Sequence, residues 1–331
     1  MSASSSQTAR THAHERHEIK RAFHRFPKAV VSGLGDRETA VLESLLRRRV
    51  TVTASGRAAT VRTLLAAAES SSPGAIAFLK GGAPRDIVAR REPRDVDAVY
   101  MRTDRTAVLA AWRAQFGADL RLSISAKAIG LVGVGAGTDS FEISALHLHE
   151  CAADCTANSL LIHVPTRTLI DPFGAGERDA RESIWRIPCS DRRAWADAVR
   201  FAIWRMLKFR VRGFQSSLDD RAFVYTHFMA EADHHSPAVF TTAAADALAT
   251  DSRAVLKAAC DDVMELRRAG RIDFEPHDFL MLLVEKGVLA PPEPRPFNNG
   301  FPVRAPRESS ESKPDRRKRK PNGSSKPRKK R

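Results

Sequence analysis

The chain has 331 residues, enough for two globular units at roughly 100 to 200 residues each. Its 43% hydrophobic and 28% charged residues exclude wholesale disorder, and no apolar run reaches the roughly 18 residues that cross a bilayer. A net charge of +15 points to a polyanionic partner, and the cysteines Cys151, Cys155, Cys189 and Cys260 are too sparse for a disulfide framework. With a polar N-terminus in place of a secretory signal, an intracellular protein is expected, in cytosol or nucleus.

Residues 1–26 are polar, rich in Ser and His, and without sustained periodicity, so a disordered N-terminal arm is expected there. Apolar spacing predicts helices over 38–46 and 58–68. An apolar run at 75–79 ends in Gly81 and Gly82, and a helical segment and an alternating strand at 95–100 follow. Residues 106–116 read as a helix, and 120–124, 131–134 and 141–146 as strands, the last two joined by a glycine-rich turn at 135–139. The sheet is therefore expected to be small and mixed or antiparallel, not doubly wound. Beyond Pro172 long helices are predicted over 193–209, 218–230, 237–249, 252–269 and 276–286. The fold class is α+β: a head at 27–175, an all-helical neck and body at 176–290, and a disordered basic tail at 291–331. In that tail thirteen Lys or Arg, from Arg304 to Arg331, stand against three acids.

Asp95 and Asp97 are two apart on a predicted strand, so both carboxylates leave one face and can share Mg²⁺. Gly81 and Gly82 lie between a strand and a helix, where bare backbone amides can cradle a phosphate. Together these features suit transfer from a triphosphate, in which metal ions neutralise the attacking and leaving oxygens.

At these residues the sequence resembles the class II polymerase-beta-like nucleotidyltransferases, which comprise bacterial-type poly(A) polymerases and tRNA CCA-adding enzymes. The head pattern of that family is matched in register by Gly81, Gly82, Arg85, Asp86, Arg91, Asp95 and Asp97. Its second motif resembles residues 152–158, where Asp154, Thr156 and Asn158 are kept and Ala152 and Ala153 replace two arginines. Its Leu-Ile-Asp-Pro-Phe-Gly is matched by Leu169-Ile-Asp-Pro-Phe-Gly174. Its base-selecting Glu-Asp-x-x-Arg resembles residues 196–200, with Asp197 and Arg200 kept and Ala196 in place of the Glu. The resemblance spans roughly 75–214.

The resemblance implies a nucleotidyltransferase-fold head and a template-independent enzyme. Such an enzyme adds ribonucleotides from ATP, or from ATP and CTP, to an RNA 3′ end. Asp95 and Asp97 would bind two Mg²⁺, with Glu142 as third carboxylate and Asp139 as the alternative. Gly81, Gly82, Arg85, Arg91, Asp154 and Asn158 would meet the nucleotide, Arg85 and Asp86 also bracing the loop, while Asp197 and Arg200 would read its base. Partners would be RNA and nucleoside triphosphates, with no membrane. Poly(A) and CCA addition stay open, as do a catalytically impaired RNA-binding descendant and transfer to a small molecule or protein.

Other features have plainer readings. Gly130, Gly133, Gly135 and Gly137 lie in a hairpin and do not open a helix, which argues against a dinucleotide site. His147, His149, Cys151 and Cys155 match no standard zinc spacing, and His234-His235 reads as a solvated loop. Trp185, Trp195 and Trp204 are expected in the core rather than as RNA-stacking platforms. The basic runs 316–320 and 326–331 suit non-specific RNA phosphate binding or a nuclear import signal.

Overall fold

The computed structural model describes residues 3–125, 128–131, 140–146, 153–199 and 201–290, and the tail at 291–331 lies outside them. Helix α1 (Ala3–Ala22) opens the chain where the sequence suggested a disordered arm. The correction has a physical reason. Ile19, Phe23 and Phe26 recur at helix-compatible spacing, and all three are buried against a sheet. Three apolar residues in a Ser- and His-rich stretch are too few to stand out in the sequence alone.

Next come β1 (Val30–Gly33), α2 (Asp36–Arg47), the β2 (Arg49–Thr51) and β3 (Ala58–Thr60) pair, and α3 (Val61–Glu69). Strand β4 (Ile76–Lys80) leads through Gly81 into α4 (Gly82–Val88) and β5 (Val96–Met101). After α5 (Arg105–Phe116) run β6 (Leu122–Ile124), β7 (Ala128–Leu131) and β8 (Phe141–Ala145). Strands β9 (Leu161–His163) and β10 (Thr168–Asp171) precede α6 (Gly176–Glu182). The large sheet has the order β1-β10-β9-β4-β5-β8-β7-β6, and only the β5 and β8 pair is parallel. The sheet is mixed, as expected. β7 begins at Ala128, earlier than the predicted strand, and the turn at 135–139 lies outside the described residues.

Alternation gives the sheet two faces. Leu79, Ala98, Ile129 and Ile143 bury into the main core beneath α3 and α5. Phe78, Val99, Leu161 and Ile170 point the other way and are covered by Ile19, Phe23 and Phe26. Further along that second face the same strands carry Lys80, Asp97 and Glu142, which α1 leaves uncovered.

The helical region comprises α7 (Arg192–Ala198), α8 (Ala202–Val211), α9 (Leu218–Glu231), α10 (Pro237–Arg268) and α11 (Pro276–Glu285). It shares the main core with the sheet inside one unit, Met1–Ala290, instead of closing a separate core at 176. Trp185, Trp195 and Trp204 are all buried in it, as core residues. The helix predicted over 193–209 is broken, because Val199 leaves helical geometry and Phe201 has φ 56°. Left-handed backbone at a phenylalanine costs roughly 1–2 kcal/mol, which packing offsets here: the ring meets Phe240 and His235, both at 4.9 Å. The helices expected at 237–249 and 252–269 form one element kinked at Asp251, whose side chain accepts the Ala254 N–H at 2.9 Å.

Candidate active site

Lys80 ends β4, and Gly81 takes φ 67°, ψ −121°, a conformation that only glycine adopts without strain. The chain thereby turns directly into α4, and Arg85 follows on its first turn. Arg85 is buried and donates to both oxygens of Asp86, at 2.8 and 3.1 Å, and to Asn158 Oδ1 at 3.1 Å. Its guanidinium stacks 5.1 Å from the Phe209 ring of α8. Asn158 in turn donates to Asp154 at 2.9 Å. Arg85 is thus a brace tying the glycine turn, the 154–158 segment and α8 together.

Asp97 lies opposite Lys80 on β4 and opposite Glu142 on β8, in parallel register with the latter. Both carboxylates consequently leave the same face. Burial raises the Asp97 carboxyl above its ordinary value; Lys80 opposes that shift, and Glu142 and Asp95 add to it. Lys80 also donates to Ser144 at 3.1 Å. Asp95 is exposed and stands one residue before β5, so the strand predicted to begin at 95 begins at Val96.

Two cavities meet at Asp97. One, about 600 Å³, holds Glu142, Lys80 and Gly81 on one side and Phe23, Phe26 and Phe173 on another. The second, about 410 Å³, is rich in arginine, with Arg91, Arg94, Lys208 and Arg212 facing Asp86, Glu92 and Asp95 around Gly82. Asp97, Asp154, Asn158 and Arg205 border both. Partial burial lowers the Arg212 guanidinium below its usual value, and repulsion from Arg85 and Arg94 adds to this, the electrostatics of a site suited to a polyanion. Arg91 is exposed and also donates to Ser183 at 2.8 Å.

The Leu169–Gly174 segment is a scaffold. Asp171 accepts the N–H groups of Phe173, Gly174 and Glu177 at 3.2, 3.0 and 3.0 Å, closing the turn into α6. Burial raises its carboxyl while these bonds oppose the shift. A Cβ on Gly176 would stand 2.5 Å from the Thr156 carbonyl oxygen, and the Thr156 hydroxyl donates to buried Asp179 at 2.6 Å. The 154–158 segment is thereby fixed against α6.

The structure brings Gly81, Gly82, Arg91, Asp95, Asp97, Glu142, Asp154 and Asn158 to these joined cavities. It does not bring Asp197 there. That residue is exposed at the end of α7 and lines a separate cavity of about 190 Å³ with Phe201, Phe228 and His235. α7 ends at Ala198, one residue beyond Asp197; Arg200, expected to share its helix face, lies outside the described residues, as do Asp139, His147, His149 and Cys151. Sequence reasoning missed Arg205, Lys208 and Arg212. Their spacing of three and four is a basic stripe on one helix face, a signal present in the sequence.

No protein-family model matches the chain, and no curated protein sequence matches it. Among solved structures it is similar to CCA-adding enzymes and tRNA-processing enzymes. The Thermotoga maritima CCA-adding enzyme complexed with tRNA is 13% identical, over 69% of this chain and 51% of that one, with a TM-score of 0.45. The Bacillus stearothermophilus CCA-adding enzyme in complex with CTP is 17% identical, over 70% and 52%, with a TM-score of 0.47. A tRNA-processing enzyme in an apo form is 18% identical, over 68% and 74%, with a TM-score of 0.44. The chain spans about half the length of these CCA-adding enzymes.

Proposed function

We propose that the protein is a template-independent nucleotidyltransferase that joins a nucleoside monophosphate, from ATP or CTP, to the 3′ hydroxyl of an RNA and releases pyrophosphate. The observation that carries this reading is the in-register pair Asp97 and Glu142 on the open sheet face, beside the Gly81 turn and an arginine-rich compartment.

The residues fit Mg²⁺. Their donors are carboxylate oxygens, and burial together with Glu142 and Asp95 leaves Asp97 in a surplus of negative charge that a cation relieves. Among the described residues no three acid, imidazole or thiol groups form a metal cage. Mg²⁺ needs none, since it takes one or two carboxylates and completes its shell with waters and substrate phosphates. Asp95, Asp97 and Glu142 would hold two such ions, which supply charge neutralisation at the attacking and leaving oxygens. Gly81 and Gly82 allow close approach of the phosphates, and Arg91, Arg205 and Arg212 offset the charge of the leaving pyrophosphate. Asp154 and Asn158 face the nucleotide between the cavities, with Arg85 holding Asn158 in place. In this reading residues 27–175 carry the chemistry, and residues 176–290, with Asp197 and Arg200, contact nucleotide and RNA. The tail adds RNA affinity, and the protein acts in cytosol or nucleus.

The test incubates the full chain with Mg²⁺, a tRNA lacking its 3′ end, an oligo(A) primer, and each labelled nucleoside triphosphate in turn. Extension is expected and should vanish in the Asp95→Asn, Asp97→Asn double variant. Addition limited to C, C and A marks tRNA end repair, and a long A ladder marks poly(A) synthesis. Absence of any extension refutes the enzyme reading.

A further inference from the structure

The two cavities differ in charge as well as in shape. The smaller one gathers five arginines and Lys208 among five carboxylates, whereas the larger one has only Lys80 and Arg205 among three carboxylates, beside an aromatic wall. A triphosphate carries several negative charges and belongs with the arginines. In-line phosphoryl transfer places the attacking oxygen opposite the leaving group. If pyrophosphate leaves into the arginine-rich cavity, the attacking hydroxyl must reach Asp97 from the other one.

That other cavity is walled in part by Phe23 and Phe26, from the turn that follows α1, and by Phe173. Phe26 meets Phe173 edge-to-face at 6.0 Å and Phe23 at 6.1 Å, and Phe23 meets Phe78 at 6.2 Å. Phe173 is only partly buried and presents its surface to the space beside Asp97, backed from the core by the buried rings of Phe23 and Phe26. At about 600 Å³ the cavity lies within the range that holds a small organic ligand. Exposed Lys20, Arg21, Arg25 and Lys28 flank these rings along the chain, as a following ribose-phosphate backbone requires. The N-terminus is itself anchored to the sheet by Arg16, which donates to the Thr166 carbonyl at 3.0 Å, and by the Glu18–Arg102 pair at 2.7 Å.

We infer that the Phe23, Phe26 and Phe173 wall receives the terminal nucleoside of the RNA acceptor, so that the N-terminal segment is the acceptor-binding element of the site. This inference rests on the nucleotidyltransferase reading for its chemistry, but its geometry is testable without turnover. An RNA oligonucleotide ending in 4-thiouridine, irradiated on the full chain, should cross-link to the peptide containing residues 19–28 or to Phe173. A cross-link confined to other peptides, or no cross-link, overturns the inference. Cross-linking there without nucleotide addition would sustain it and overturn the enzyme reading instead.

Kinetics give the second arm. Phe173→Ala should raise KM for the RNA about tenfold, in line with loss of one base–aromatic stack, and leave KM for the nucleoside triphosphate within about twofold. Phe173→Tyr should keep the RNA KM near the parent value, and Phe173→Leu, which preserves apolar volume, should raise it like Phe173→Ala. Thermal unfolding identifies any variant that fails to fold, in which case Phe173→Leu decides. An equal rise in both KM values, or an unchanged RNA KM in a folded Phe173→Leu protein, overturns the inference.

Discussion

Asp97 and Glu142 stand directly opposite each other on parallel strands, with Lys80 opposite Asp97 on its other side. Two carboxylates and one ammonium on this sheet face leave a net negative charge, and while Glu142 is exposed, burial raises the Asp97 carboxyl further. Ionised Asp97 therefore costs the folded state free energy at neutral pH. Asp97→Asn should abolish nucleotide addition yet raise Tm at pH 7 by about 2–4 °C, the response of a domain of this size to roughly 1 kcal/mol. Mg²⁺ should raise Tm of the parent protein and leave that of Asp97→Asn unchanged. Scanning calorimetry with and without Mg²⁺ measures both effects, and a destabilised Asp97→Asn protein would contradict the charge argument.

The same shift sets a pH dependence. The Asp97 carboxyl has its folded value raised above 3.8, so on acidification the folded state takes up its proton before the unfolded state does. Its contribution to stability is most favourable below 3.8 and is lost as pH rises through the raised value. Activity runs the opposite way, since the ionised form is the one that holds metal. The acid limb of kcat/KM should fall above the ordinary aspartate range, and Glu142→Gln, by removing a charge that raises Asp97, should move it to lower pH in any residual activity.

The glycine turn, the carboxylate pair and the strand–helix–strand order around them were legible because each depends on local chemistry: a backbone that only Gly81 tolerates, and a period of two at Asp95 and Asp97. The strand that carries Glu142 was legible from its apolar alternation, and it pairs with β5 although some forty-five residues separate Glu142 from Asp97. What stayed hidden depends on distant packing. Helix α1 is fixed by three apolar contacts to a sheet face formed much later in the chain. The break before Phe201 is set by Phe240 and His235, and no local propensity marks it. Asp197 was assigned by resemblance to a base-selecting motif, and at the end of α7 it lines a different cavity.

Gly176 offers a stability test remote from catalysis. A methyl group there would sit 2.5 Å from the Thr156 carbonyl oxygen, which accepts the Ser159 hydroxyl, and 3.0 Å from Asp171 Oδ1, which accepts the Gly174 N–H. Gly176→Ala should cost about 1–3 kcal/mol, as overpacking does elsewhere. It should also lower Tm by several degrees, and nucleotide addition should weaken because the 154–158 segment shifts. Urea unfolding gives the first quantity, and a variant as stable as the parent would show that the turn adjusts.

Arg85 should behave as a brace and not as a phosphate ligand. Its donors reach Asp86 and Asn158, and its plane lies over Phe209. Lysine has neither the fork nor the plane. Arg85→Lys should therefore leave Asp86 poorly paired and cost about 2–3 kcal/mol, with a fall in kcat larger than any rise in the triphosphate KM. A pure KM effect in a fully stable variant would mark Arg85 as a direct ligand.

Arg205 and Arg212 carry the complementary prediction. They come from α8 and its C-cap and border the arginine-rich cavity. Arg212 is exposed, with Arg85 and Arg94 repelling it and Asp86 and Asp95 attracting it, so removal of its charge has little to change in the fold. Arg212→Gln should thus leave the protein as stable as the parent or slightly more so. It should raise the triphosphate KM roughly tenfold, the loss expected for one charge-assisted contact. The RNA KM should stay unchanged, and Arg205→Gln, at the boundary beside Asp97, should lower kcat as well. Steady-state kinetics with each substrate varied in turn separates these effects, and a rise in the RNA KM alone would reverse the assignment of the two cavities.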